Sequence, residues 1–122
     1  MDPLRRIRVL VVEDDNALRE LYRHELVQAG FLVTAVPDGV DALQRIDAGL
    51  LPDVVILDLM LLRLNGLDLY HEFKAHAKTR NVPIIVVTGT DTRDLNPYDF
   101  AFVFRKPVDG SALIRAIDAC VH

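Results

Sequence analysis

The sequence predicts an α/β fold, a doubly wound parallel sheet of five strands. Three observations lead there. Short apolar runs rich in valine and isoleucine recur: Val9-Leu10-Val11-Val12, Val54-Val55-Ile56-Leu57 and Ile84-Ile85-Val86-Val87, with Phe102-Val103-Phe104 as an aromatic version. Runs that are continuous, without polar alternation, fit strands buried on both faces. Between them lie segments with apolar residues at helical spacing, so strand and helix patterns alternate. The chain has 122 residues, a length that suits a single domain over 1–122 and allows roughly two-thirds of the unfolded surface to be buried.

The elements follow in order. A first strand is expected over 7–12. A helix over 16–29 carries Leu18, Leu21, Tyr22, Glu25, Leu26 and Ala29 at helical spacing, and Gly30 stops it. The second strand is expected over 31–36. The second helix, over 39–48, has Asp38 as its N-cap and Gly49 at its end. The third strand covers 54–57 and the third helix 67–77. The fourth strand covers 83–87 and the fifth 101–104. A last helix over 111–121 turns Leu113, Ile114, Ile117 and Val121 inward, with Asp109 near its N-cap. The stretch between the fourth and fifth strands breaks the pattern. It carries Asp91, Thr92, Asp94, Asn96 and Pro97, and the residue before a proline is pushed out of helical geometry. A helix 4 here is shortened or irregular, with at most about one to two turns.

Composition narrows the function. Hydrophobic residues make up 51% of the chain, too many for disorder. The net charge of −4 opposes a nucleic-acid surface, where a basic stripe is expected. Cys120 is the one cysteine, so no intrachain disulfide forms, which fits a reducing cytoplasm. The basic start, Arg5-Arg6-Ile7-Arg8, leads into an apolar run that stops at Glu13, too short for a signal peptide. No run approaches the roughly 20 apolar residues of a membrane span.

The strand ends carry the chemistry. Ligands of such sheets sit outside the carboxyl ends of the strands. There the sequence places Glu13-Asp14-Asp15, Asp58, Thr88 and Lys106-Pro107. Carboxylates, a hydroxyl and an ammonium gathered at one sheet end suggest a divalent-metal and phosphoryl site. A carboxylate can act as a covalent nucleophile toward phosphorus. Acceptor and donor are both anionic, and Mg²⁺, which takes oxygen ligands, offsets the repulsion. A lysine adds a second positive point charge.

In this order, at these strand ends, the residues resemble the receiver domains of two-component response regulators, over essentially the whole chain. The resemblance implies the flavodoxin-like strand order 2-1-3-4-5. It implies that Glu13 and Asp14 hold Mg²⁺, together with Asp58 and the backbone carbonyl of Met60. Asp58 would be the phosphoacceptor, Thr88 the hydroxyl that closes on the phosphoryl group, and Lys106 the partner of a phosphoryl oxygen. Pro107 would follow a cis peptide, and Gly66 is the small turn residue before the third helix. The phosphoryl donor would be a sensor histidine kinase or a histidine phosphotransfer protein, docking near the first helix and the Pro107 loop. A downstream protein target would read the change. Enzyme activity would extend at most to the chain's own phosphorylation and dephosphorylation.

Other readings attach to single residues. Asp15 is expected to cap the first helix, since metal needs only two of the three acids. His24, His71, His76 and His122 lack ligand-like spacing and are expected in solvent, as is Arg63. Cys120 is expected to pack or point outward. The chain also departs from the usual receiver. Val103 stands where an aromatic residue is usual, flanked by Phe102 and Phe104. Leu62 replaces a proline, Asn65 an aspartate, and the stretch from Thr88 to Lys106 is a few residues short. Met60 is apolar and cannot orient an attacking water, so slow loss of phosphate is expected. Met1 followed directly by the domain leads to the expectation of a free-standing regulator, the other option being a receiver within a longer protein such as a hybrid kinase.

The alternative from another class is a phosphorylation-independent binding module with the same fold. An aspartyl phosphatase would want a second acid at Met60. A flavin site would want a phosphate loop where the anionic Glu13-Asp14-Asp15 stands.

Overall fold

The computed structural model describes residues 5–61, 65–89, 93 and 95–121. The readings at Leu62, Arg63, Asp91, Thr92, Asp94 and His122 lie outside the described residues. The apolar runs form β1 (Arg8–Val12), β3 (Val54–Leu57), β4 (Ile84–Thr88) and β5 (Phe102–Arg105), with β2 at Leu32–Val36. The helices are α1 (Asn16–Gln28), α2 (Gly39–Asp47), α3 (Gly66–Ala75) and α4 (Gly110–Val121). The strands pair in parallel in the order β2-β1-β3-β4-β5, as the resemblance implied.

The sheet is covered on both faces, which is why its inner strands read as unbroken apolar runs. Strand side chains alternate between faces. Val9, Val11, Ile56 and Val87 pack with Leu26 of α1 and Ile117 of α4. Leu10, Val12, Leu57 and Val86 pack with Ile46 of α2 and Phe73 of α3. β3 and β4 are buried throughout. The edge strands β2 and β5 are largely half-exposed. Leu21, read among the helix-spaced residues, is exposed; it lies off the buried stripe of α1, which Tyr22 and Leu26 define.

Short polar residues start the helices. Asp15 accepts from the Leu18 N–H at 3.0 Å, Asp38 from Asp41 at 2.9 Å, Asn65 from Asp68 at 2.9 Å, and Asp109 from Ser111 at 2.8 Å. Each satisfies a backbone donor that the first helical turn leaves open. Asp15 is therefore the cap that the sequence suggested. Gly30 and Gly49 end α1 and α2 with φ of +97° and +111°, a conformation that glycine adopts without a Cβ penalty.

Several boundaries move by a residue or two. β4 starts at Ile84 because Pro83 has no N–H for the ladder; its carbonyl still accepts from Val55 at 3.1 Å. β4 gains Thr88, which pairs with Arg105, so β5 also shifts one residue along. α3 starts at Gly66 and stops at Ala75, short of the expected 77. His76 is half-buried, and its Nδ1 accepts from the Lys78 N–H at 3.1 Å, so the ring expected in solvent is only partly there. Cys120 is half-buried against the α1–α4 side of the core. Between β4 and β5, the helical structure among the described residues is one 3-10 turn, Pro97–Asp99. Asn96 caps it, accepting from the Tyr98 N–H at 3.0 Å. The Asn-Pro pair thus opens a turn of helix instead of merely forbidding one. None of the helices among the described residues is long and apolar enough to cross a membrane.

Candidate functional site

The parallel register brings the strand ends level. Val12 lies opposite Leu57, Leu57 opposite Val86, and Thr88 opposite Arg105. The residues that follow are tied into the same ladder. The Glu13 N–H donates to the Val36 carbonyl at 3.1 Å, the Asp58 N–H to Val12 at 3.1 Å, and the Lys106 N–H to Thr88 at 2.9 Å. Three side chains from three strand ends therefore converge from a rigid frame.

They meet on one ammonium. Lys106 Nζ lies 2.6 Å from Glu13 Oε1 and 2.8 Å from Asp58 Oδ2. Glu13 is 2% exposed and Asp58 4%, so both would be costly as unpaired charges. The remaining oxygens are also engaged. Asp58 Oδ1 accepts from the Met60 N–H at 2.9 Å, and Glu13 Oε2 accepts from the Asp15 N–H at 3.2 Å. Thr88 is fully buried at the end of β4. Met60 is exposed beside Asp58. The Lys106–Pro107 peptide is cis.

Glu13, the half-buried Asp14 and Asp58 each offer one carboxylate oxygen, and these lie within 4.8 Å of one another. Hard oxygen donors at this spacing fit a hard divalent cation such as Mg²⁺. The electrostatics show a surplus of acid. Burial pushes the Glu13 carboxyl up to about 7, with the Asp58 carboxylate adding to the rise and Lys106 opposing it. Burial pulls Lys106 down, but the hydrogen bonds to Asp58 and Glu13 outweigh it and hold the ammonium above the ordinary lysine range. Two buried acids share one ammonium, so the lysine keeps its proton firmly and Glu13 tends to regain its own.

Gly66 fits its place because nothing larger would. A Cβ there would sit 2.6 Å from the Asp58 carbonyl oxygen and press on the Leu59 Cα. The Gly66 N–H donates to the Leu59 carbonyl at 3.1 Å. The first turn of α3 thus rests directly on the loop that carries Asp58.

Val103 packs toward the α2–α3 side of the core. Phe102 and Phe104 take the other face of β5, stacked at 6.0 Å between ring centroids beside Ala112 and Ala116 of α4. The aromatic bulk of β5 is therefore on the opposite face of the strand from Val103.

Sequence reasoning brought together Glu13, Asp14, Asp58, Thr88 and Lys106 at one sheet end, and the structure places them there. It paired Lys106 only with a future phosphoryl group, whereas the lysine already bridges Glu13 and Asp58. It missed Arg19, whose guanidinium donates from Nη1 to the Glu13 carbonyl at 3.1 Å. The only trace in the sequence is the spacing of Asn16 and Arg19, which puts both on the turn that faces the acidic loop.

Known proteins share the sequence pattern and the fold. A family model described as the response regulator receiver domain matches residues 9–118. The response regulator MprA of Mycobacterium sp. (strain KMS) is 41% identical over 86 residues, 70% of this chain and 36% of that protein. MprA of Mycobacterium tuberculosis (strain ATCC 25177 / H37Ra) is 40% identical over the same length. The match thus spans little more than a third of these relatives. Among solved structures, a CheY-like response regulator receiver domain from Methylobacillus flagellatus is 28% identical with a TM-score of 0.84, covering 95% of this chain and 99% of that one. The chemotaxis protein CheY4 of Vibrio cholerae, at 21% identity, shares the fold with a TM-score of 0.87 over 95% of this chain and 99% of its own.

Proposed function

The chain belongs to the response regulator receiver family of two-component systems, and from that membership we propose that it accepts a phosphoryl group on Asp58 in a Mg²⁺-dependent reaction. The donor is a phosphohistidine of a histidine kinase or a phosphotransfer protein, and residues 1–122 act as one receiver unit. The observation that carries the reading is the setting of Asp58. It is a buried carboxylate at a strand end, held by a backbone N–H on one oxygen and by Lys106 on the other, with two further acids in reach.

Glu13, Asp14, Asp58 and the Met60 carbonyl are the residues that would hold the cation. When bound, Mg²⁺ supplies positive charge that offsets the meeting of an anionic donor with an anionic acceptor. The chain's own groups do the rest. Phosphoryl transfer depends mainly on positioning and charge stabilisation. An Asp58 carboxylate oxygen bonds to phosphorus as the phosphorus–nitrogen bond of the donor breaks. The electron pair stays on the imidazole nitrogen, which then takes a proton. Lys106, already 2.8 Å from Asp58, turns to a phosphoryl oxygen. Thr88, at the end of the neighbouring β4, meets another. The product carries added negative charge and new acceptor oxygens, and the shift of Thr88 with its loop passes the change to a protein target.

The test is incubation with a small acyl phosphate and Mg²⁺, read by mass. A one-phosphoryl gain that disappears in Asp58→Asn and in EDTA is expected. A folded protein that gains nothing, from the small donor or from a cognate kinase, would replace this reading with a phosphorylation-independent binding module.

A further inference from the structure

Arg19 stands beside a loop with three acids in succession, Glu13-Asp14-Asp15. An arginine so placed ordinarily grips a carboxylate with both arms. Here both arms go to neutral oxygens. Nη1 donates to the Glu13 backbone carbonyl at 3.1 Å and Nη2 to Asn16 Oδ1 at 2.5 Å. The Arg19 N–H itself donates to the Asp15 carbonyl at 2.9 Å. The Glu13 residue is consequently held at both backbone ends, its N–H by Val36 in β2 at 3.1 Å and its carbonyl by Arg19 in α1. A residue gripped in this way can aim its side chain, and the next carboxylate along, Asp14, starts from a fixed peptide.

We propose that Arg19 is a positioning residue for the cation site, fixing the Glu13–Asp14 peptide so that both carboxylates face Asp58 while consuming neither. This rests on the Mg²⁺-dependent reading above. Groups that orient metal ligands from behind influence affinity strongly. The guanidinium also places a permanent positive charge near the cluster, and that charge repels an incoming cation. The two effects have opposite signs, which makes the role separable from plain electrostatics. Charge alone says that losing Arg19 tightens cation binding. Positioning says that losing it weakens binding.

The experiment is calorimetric titration of the full chain with Mg²⁺, for the wild type, Arg19→Ala, Arg19→Lys and Arg23→Ala. Arg23 is one turn further along α1, exposed, and paired with Glu20 at 2.8 Å. The expected result is an affinity roughly tenfold weaker for Arg19→Ala. Arg19→Lys should fall in between, because an ammonium can reach one of the two oxygens but not fork to both. Arg23→Ala should stay within about twofold, since a distant exposed charge is screened. Circular dichroism establishes that each variant is folded, and Arg19→Lys carries the test alone if the alanine variant is not. Equal or tighter binding by the folded Arg19 variants would overturn the inference and leave the functional reading intact. No Mg²⁺ binding by the wild type would overturn both.

Discussion

Replacing Gly66 by alanine adds one methyl group where the fold has no room for it. The new Cβ would lie 2.6 Å from the Asp58 carbonyl oxygen and nearer still to the Leu59 Cα. Carbon atoms in contact prefer roughly 3.5–4.0 Å, so α3 and the Asp58 loop must separate by about 1 Å. Neither side yields easily. The Asp58 N–H is bonded into β1, and α3 is anchored by Leu69 and Phe73, which are almost fully buried. Overpacking of this kind costs about 1–3 kcal/mol, and a clash against backbone belongs at the upper end. Alanine's better helix propensity returns at most about 1 kcal/mol. A net loss near 2 kcal/mol is therefore expected, read as a lower urea midpoint with an unchanged m-value. Asp58 shifts with its loop, and a displacement of about 1 Å costs on the order of a hundredfold in rate. The initial rate of phosphoryl incorporation from a small acyl phosphate measures that part. Gly89→Ala is the stability control. Apart from its chain neighbours, no atom of the described residues lies within 4 Å of its Cβ position, so its stability should change by less than about 0.5 kcal/mol. If Gly66→Ala matched Gly89→Ala in stability and kept the wild-type rate, the close approach of α3 to the Asp58 loop would not constrain the site.

Three further outcomes are expected. Lys106→Ala leaves Glu13 and Asp58 buried without their shared ammonium, so the metal-free protein should lose about 3 kcal/mol; added Mg²⁺ should restore part of it in urea titrations, and an unchanged midpoint would count against the bridge. Glu13 has an ordinary value of 4.5 and is raised to about 7 in the fold, so the folded state holds a proton that the unfolded state gives up. Stability of the metal-free chain should therefore fall as pH rises across that window and level off above it. Glu13→Gln should flatten the fall, and parallel pH profiles for the two proteins would refute the assignment. Met60 is exposed beside Asp58, and Met60→Asn supplies an amide able to orient water, so the phosphorylated variant should lose its phosphate several-fold faster than wild type; equal half-lives would contradict this.

Much of the fold was legible because its inner strands are covered on both sides. β3 was placed to the residue, since all four of its side chains are buried and its apolar run has sharp ends. The edge strands were less sharp. β2 mixes Thr34 and Ala35 with valines, and half-exposed side chains leave a weaker pattern. Asp58 and Lys106 were legible as residues at strand ends, because parallel strands carry such residues to one edge. The bridge from Lys106 to Glu13 was not. It joins the first and last strand-end loops, and no local spacing encodes that distance. Arg19 was invisible for another reason: its acceptor on the acidic loop is a carbonyl, and every residue has one.

The ammonium seated between Glu13 and Asp58 also bears on which ions the pocket can admit. A cation entering there would compete for contacts that Lys106 already makes at 2.6 and 2.8 Å. A monovalent ion swaps one unit of charge for one unit and must still shed its water, so it gains almost nothing. A divalent ion brings one unit more, and only that surplus drives the trade. The lysine would thus stand as a competitor to any cation at these two carboxylates, and a singly charged competitor is displaced more readily by a divalent ion than by a monovalent one.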